Sequence, residues 1–434
     1  MNMSQRNPWL ACTLLAALSA CSNGDAPTAA TSAVAPPAAA STPTVQAWTL
    51  PAPDGAAQPD LAVAPDGRLL LSWIEATDGG HRLQLASTAP TAAPAWSAVQ
   101  TVAAGRDWFV NWADTPRVHA LPDGSLWAHW LRNSGPSRMD YGIALVRSAD
   151  GGAHWSAPLQ VHPPAIRGDH GFVTYWTQAD DRLGIAWLDS RQKAAAAGAQ
   201  EMHDMHDDHH GGGPAMMLRA AIHGPQGTQE AEWPLDVSTC DCCTTSSALT
   251  ARGVVVVYRG RDPQEVRDTR IVRLDGNAWT APHDVHADGW HFAGCPVNGP
   301  AVVADGNRVW VAWYTEADGV PELRAAHSDD AGDSFAAPLT LAKGPQVLGR
   351  LALALGGERL LAAWLEEASP TSQKLVLGRY DADGSHAQRV EVADLSARGR
   401  ASGLPRLQWS GDAAWLAWTD VRDGTPVLRG ATVR

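Results

Sequence analysis

The sequence predicts an all-β fold, a β-propeller of seven four-stranded antiparallel blades, and three observations carry that expectation. An aromatic residue closes an apolar β-type run at Trp73, Trp130, Trp187, Tyr258, Trp313, Trp364 and Trp418, with intervals of 57, 57, 71, 55, 51 and 54 residues. Within each unit a short apolar strand, a glycine-containing turn and a second strand ending in the aromatic are followed by two more strand-like runs. "PDLAVAPDGRLLLSWIE", "PRVHALPDGSLWAHWL" and "GPAVVADGNRVWVAWYTE" are three copies of its first half. No amphipathic helical pattern interrupts the series, and four short strands per unit of roughly 50 residues is the blade pattern. Blade sheets are buried on both faces, a demand that the 20 Trp of the chain meet.

Taken from the amino terminus, residues 1–20 carry Arg6, the apolar run "LACTLLAALSA" and no acidic residue, which is the pattern of a secretory signal. The run is too short for a membrane-spanning helix. It ends in Leu18-Ser19-Ala20-Cys21, which resembles the lipobox of bacterial lipoproteins. That resemblance implies cleavage before Cys21, acylation of its sulfur and, with Ser22 following, transfer to the outer membrane of a Gram-negative envelope; an ordinary signal with a chance cysteine is the alternative. Residues 21–44, dominated by Ala, Pro, Thr and Ser, read as a flexible tether.

The propeller is expected from residue 45 to 434. The seventh unit, "RLQWS", "AAWLAWTD" and "PVLRGATVR", ends one strand short, and "VQAWTL" (Val45 to Leu50) looks like a fourth strand. Pairing the first strand with the last blade would seal the ring and remove a sheet edge. A six-bladed ring is the alternative if one unit is degenerate.

"SADGGAHW" places Ser148, Asp150, Gly152 and Trp155 at the spacing S-x-D-x-G-x-x-W, and "SDDAGDSF" repeats it with Ser328, Asp330, Gly332 and Phe335; weaker echoes stand at Asp275 and Asp381. This resembles the Asp-box of the sialidase superfamily of β-propellers, which occupies the hairpin between the third and fourth strands of a blade. Its logic is local: Asp accepts bonds from turn amides, Gly supplies positive φ, and the aromatic packs the hairpin onto its blade. The resemblance covers residues 45 to 434 and implies fold more than activity. It also implies where chemistry would sit in a sialidase: three arginines on a carboxylate, a Tyr nucleophile with Glu, and an Asp acid/base. The family's Phe/Tyr-Arg-Ile-Pro arginine is absent from "QPDLAVAPDG". Arg117, Arg259, Arg267, Arg350 and Arg406 are candidates for the channel mouth, and Tyr314 with Glu316 is the weak catalytic candidate.

In such a blade the loops joining the fourth strand to the next blade and the second strand to the third emerge on one face, opposite the Asp-boxes. All the unusual side chains belong to that face. With Cys12 in the signal and Cys21 at the lipid site, the remaining cysteines are Cys240, Cys242 and Cys243 of "STCDCCTTS" and Cys295 of "WHFAGCPVNGP". In an oxidising envelope an even set reads first as disulfides, although a bond between adjacent Cys242 and Cys243 would be strained. Alternatively, soft thiolates with His291 would hold copper or zinc.

The long repeat interval is stretched by an insertion over residues 190–216 containing "EMHDMHDDHHGGG". Met202, His203, Met205, His206, His209 and His210 offer thioether and imidazole, the ligand set that suits copper in both oxidation states; a solvated insertion with incidental metal affinity is the alternative. The acids and arginines after each second strand, such as Glu75, Asp189 with Arg191, Glu366 and Asp420 with Arg422, read as a salt-bridged rim. A net charge of −13 argues against nucleic acid as a partner. The expected function is a membrane-anchored propeller binding a soft metal; a sialidase-type glycoside hydrolase and a non-catalytic carbohydrate- or protein-binding propeller are the alternatives.

Overall fold

In the computed structural model the described residues are 43–164, 166–193, 215–381, 383–385 and 387–434. They form seven antiparallel sheets, each a blade of four strands, with the fourth strand of blade four broken into Ala278–Trp279 and His283–Asp284. Seven blades replace the six-bladed alternative, because each of the seven aromatic repeats supplies a full sheet.

The first strands of the blades are Ala57–Val63, Arg117–Ala120, His170–Gln178, Ser246–Leu249, Ala301–Asp305, Val347–Gly356 and Arg406–Ser410. Each touches the first strand of the next blade, and the last touches the first, so they line a closed ring. Blade seven is completed by Val45–Trp48, which pairs antiparallel with Thr425–Val433 in the register Val45↔Val433 to Trp48↔Gly430. Trp48 stacks on Trp96 at 5.0 Å and meets Trp415 edge-on at 4.9 Å. Only glycine suits position 430, where a Cβ would lie 2.9 Å from the Trp48 ring.

The seven repeat aromatics all fall on second strands and are at most 5% exposed. A buried indole removes about 150–250 Å² from water, worth about 4–6 kcal/mol before entropy, but its N–H must then be satisfied. Trp73 Nε1 donates to Glu75 at 2.8 Å, Trp187 Nε1 to Asp189 at 2.9 Å and Trp364 Nε1 to Glu366 at 2.8 Å. These acids are buried, and each is also salt-bridged, as the expected salt-bridged rim requires. Their arginine partners do exist, at 2.6 Å for Arg82 on Glu75 and 2.8 Å for Arg191 on Asp189. Each carboxylate thus joins the core indole to the outer charge.

Both Asp-boxes are formed between third and fourth strands. Ser148 donates to Asp150 at 2.8 Å, Gly152 N to Ser148 Oγ at 2.8 Å and His154 N to Asp150 at 2.9 Å. The second box repeats this with Gly332 N on Ser328 Oγ at 2.8 Å and Ser334 N on Asp330 at 2.9 Å. Gly152 and Gly332 have φ of 99° and 89°. Trp155 and Phe335 pack against separate core clusters. Among the described residues no helix is long and apolar enough to cross a membrane.

Candidate metal centre

The loop Cys240–Thr245 leaves the fourth strand of blade three (Gln229–Thr239) and leads into the first strand of blade four, so it lies at the mouth of the ring. Cys240 N donates to Arg259 O at 2.9 Å, which turns the chain back and puts three sulfurs on one side. Cys240 Sγ lies 3.4 Å from Cys243 Sγ and 4.0 Å from Cys242 Sγ, and all three fall within 4.8 Å of one another. Sulfurs bound at about 2.3 Å to one ion are spaced roughly 3.7–4.0 Å apart, so the observed spacing suits a shared ion with little movement. Cys240 and Cys243 are buried, Cys242 is half-buried and Cys295 is exposed.

Cys295 arrives from the next loop over, between blades four and five. That loop is held by Arg267 N on Trp290 O at 2.7 Å, Phe292 N on Glu265 O at 3.0 Å, and the Trp290 N–H on Asp268 at 3.0 Å. Cys295 neighbours Cys242 from the exposed side and stands outside the compact three-sulfur group. All four cysteines are free thiols in this structure. His291 does not belong to the compact sulfur group: its backbone bridges Val266 and its side chain is exposed.

The thiols are unequal. Hydrogen bonds from Cys242 and Cys243, with the Arg267 guanidinium nearby, hold the Cys240 thiol well below the usual thiol range. The hydrogen bond to Cys240 pushes Cys242 up, and burial pushes Cys243 up. A contact with Cys242 lowers Cys295.

Both cations have further duties. Arg267 is 3% exposed and pairs with Glu265 at 2.5 Å, while Glu265 also takes Arg261 at 2.6 Å. Arg259 binds the carbonyls of Asn298 and Tyr314 at 2.8 Å each and stacks over Trp290 at 4.8 Å. With its donors spent on backbone, Arg259 is a strut under both cysteine loops, not a free carboxylate clamp. Tyr314 does donate to Glu316, so the structure makes a Tyr–Glu pair that spacing alone left unconvincing. Burial and this bond raise the phenol far above its usual range, the wrong direction for a nucleophile.

The insertion residues Met202, His203, Met205, His206, His209 and His210 lie outside the described residues, as does Cys21. Both stems of the insertion are described, and they meet the cysteine loop. Lys193 Nζ lies 2.7 Å from Asp241 Oδ2 and Met216 N 3.4 Å from Asp241 Oδ1. Gln192 Nε2 donates to Ala215 O at 2.7 Å and Val237 O at 2.6 Å. Asp241, between two of the cysteines, was missed because an acid in a loop carries no sequence signal of its own.

Beside the cluster, a cavity of about 130 Å³ at the ring axis is lined by Thr244, Asn298, Arg117, Arg350, Arg406 and Asp60. Arg406 lies 3.6 Å from Asp60. Among the described residues the Arg117 side chain makes no hydrogen bond or ion pair, and the Arg350 guanidinium bonds Ser402 Oγ at 2.8 Å and Gly403 O at 3.2 Å while stacking on Trp112 at 4.9 Å. Burial, with Arg400 nearby for Arg350 and Arg117 for Arg406, pulls both guanidinia down to about 10. Three arginines that the sequence scattered along the mouth thus converge, because the inner strands of blades two, six and seven line one axis.

No family model matches the chain, and no curated protein matches it in sequence. Among solved structures, the polysaccharide lyase Uly1 aligns at 10% identity over 88% of this chain and 90% of its own, with a TM-score of 0.50. An α-L-arabinofuranosidase from Fusarium graminearum aligns at 11% identity over 88% and 93%, TM-score 0.47. A variant of the NanB sialidase from Streptococcus pneumoniae aligns at 8% over 85% and 83%, TM-score 0.46. At these identities the likeness concerns the fold alone.

Proposed function

We propose that this sialidase-like propeller of seven blades binds a soft metal ion, copper above all, at the mouth through Cys240, Cys242 and Cys243, with Cys295 as outer ligand. The observation that carries the reading is the three-sulfur group at ligand spacing on a rigid scaffold. Thiolates select Cu(I) or Zn(II) over hard cations, and Arg267 and Arg259 offset the charge of several thiolates in one place. The Met/His insertion, rooted at Asp241, supplies weaker, exchangeable ligands that load the cluster, a role in metal handling or delivery. Lipid at Cys21 would hold the propeller at the outer membrane; equal radiolabelled palmitate in Cys21→Ala and parent would end that part of the reading.

The central test is metal-to-protein ratio and affinity on reduced protein. Cys242→Ser with Cys243→Ser should abolish the tight fraction of copper, whereas deleting residues 201–210 should slow loading without lowering the final content. Unchanged loading in both variants would defeat the proposal.

A second reading has its own observation. Arg117 and Arg350, whose guanidinia make no ion pair among the described residues and line one cavity, favour an anionic group such as the carboxylate of an acidic sugar. Calorimetry with glucuronate on parent and Arg117→Ala tests it, and equal heats would sink it.

A further inference from the structure

We propose that the four mouth cysteines form a dithiol–disulfide relay in which exposed Cys295 and half-buried Cys242 pass oxidation inward to the buried pair Cys240 and Cys243. It uses the thiols assigned above to a metal but does not depend on one being bound.

The geometry is a file of sulfurs graded from solvent to core. Cys295 is exposed, on the neighbouring loop beside Cys242; Cys242, half-buried, lies 4.0 Å from Cys240; Cys240, buried, lies 3.4 Å from buried Cys243. Exchange needs a thiolate within reach of a disulfide sulfur, and a disulfide closes at about 2.05 Å, so neither inner step asks for loop rearrangement. Cys240 and Cys243 also stand at C-x-x-C spacing, two residues apart in a loop whose ends are pinned. A buried pair has no route to an outside oxidant except through its neighbours.

The oxidant is a small disulfide, RSSR. Cys295 thiolate attacks it, forming a Cys295–SR bond and releasing RS⁻. Cys242 then attacks the Cys295 sulfur, closing Cys242–Cys295 and releasing a second RS⁻. Cys240 attacks Cys242 and frees Cys295; Cys243 attacks Cys240 and frees Cys242. In sum Cys240 and Cys243 lose two electrons and two protons, which reduce one RSSR to two RSH. The product leaves only Cys242 and Cys295 as thiols, too few to hold the ion tightly, so oxidation would also discharge a loaded site.

The test uses the full chain, reduced and metal-free, treated with glutathione disulfide, quenched by alkylation and mapped by peptide mass. Cys240–Cys243 should be the end product, with Cys242 and Cys295 alkylated. Cys240→Ser should stop at Cys242–Cys295, and Cys295→Ser should slow the inner disulfide about tenfold. An end state with Cys240 and Cys243 still alkylated and glutathione on Cys295 overturns the relay, as does an unchanged rate in Cys295→Ser. Since no metal is present, a chain that relays but binds no copper sinks only the metal reading, and the reverse result sinks only this one.

Discussion

Lys193 Nζ sits 2.7 Å from Asp241 Oδ2, so the stem of the long insertion is tied to the residue between Cys240 and Cys242. Both side chains are about a quarter exposed, and such a pair contributes about 1 kcal/mol or less to global stability. Its weight is local. Lys193→Ala should leave the unfolding midpoint nearly unchanged while amides of Ala215 to Met217 exchange faster with deuterium. Identical exchange in parent and variant would show that the stem is held by other contacts.

Ring closure depends on one indole more than on any other residue of the first strand. Trp48 is 6% exposed, wedged between Trp96 and Trp415. Trp48→Ala should cost about 3–5 kcal/mol in denaturant unfolding. A loss below about 1 kcal/mol would mean that blade seven is stable without its last strand.

The Asp-box glycine Gly332 is testable against a turn glycine outside the boxes, Gly357. At Gly332 a Cβ would sit 2.9 Å from Ile271 at φ +89°, whereas at Gly357, φ +62°, nothing lies within 4 Å. Strain alone costs about 1–3 kcal/mol, and the contact with Ile271 adds to it. Gly332→Ala should therefore lower the melting temperature more than Gly357→Ala; the opposite order would show that the hairpin yields freely.

Asp114 gives a pH dependence with a definite sign. Burial raises its carboxyl from 3.8 to about 7, outweighing the bond from Phe172 N and the pull of Arg117. The folded state thus binds the proton more tightly than the unfolded, so this group costs stability above pH 7 and the cost vanishes as pH falls to about 4. The full difference is on the order of 4 kcal/mol as an upper bound. Asp114→Asn should gain on the parent in melting temperature as pH rises from 4 to 8, and a pH-independent difference would place the proton elsewhere.

A fluorogenic sialoside should be hydrolysed only at background. Tyr314 holds its proton against Glu316, and Arg259 spends its donors on carbonyls. Turnover that disappears in Tyr314→Phe would reverse this.

The blade count and both Asp-boxes were legible in the sequence because each is a local matter, and the closing strand because the seventh unit offers three strands while Val45 to Leu50 reads as a spare fourth. Period-two burial, a turn glycine and a short hydrogen-bonded turn involve neighbours along the chain. The face that carries the cysteine loops was legible too, since strand alternation dictates where each loop emerges. Residue types alone singled out the four cysteines, yet left disulfide and metal open.

What brings the cysteines together lies in distances that spacing does not encode. Cys295 stands 52 positions from Cys243, and only the packing of blade four against blade five brings its loop to Cys242. The same packing withdrew Arg259 into a cage of carbonyls, left His291 outside the sulfur group, turned the expected rim acids Glu75, Asp189 and Glu366 onto buried indoles, and gathered Arg117, Arg350 and Arg406 at one axis. A sequence states which side chains exist and how each strand alternates; which of them share a few ångströms is set by seven sheets closing on one another, because burial there leaves each polar group only the partners that ring closure delivers.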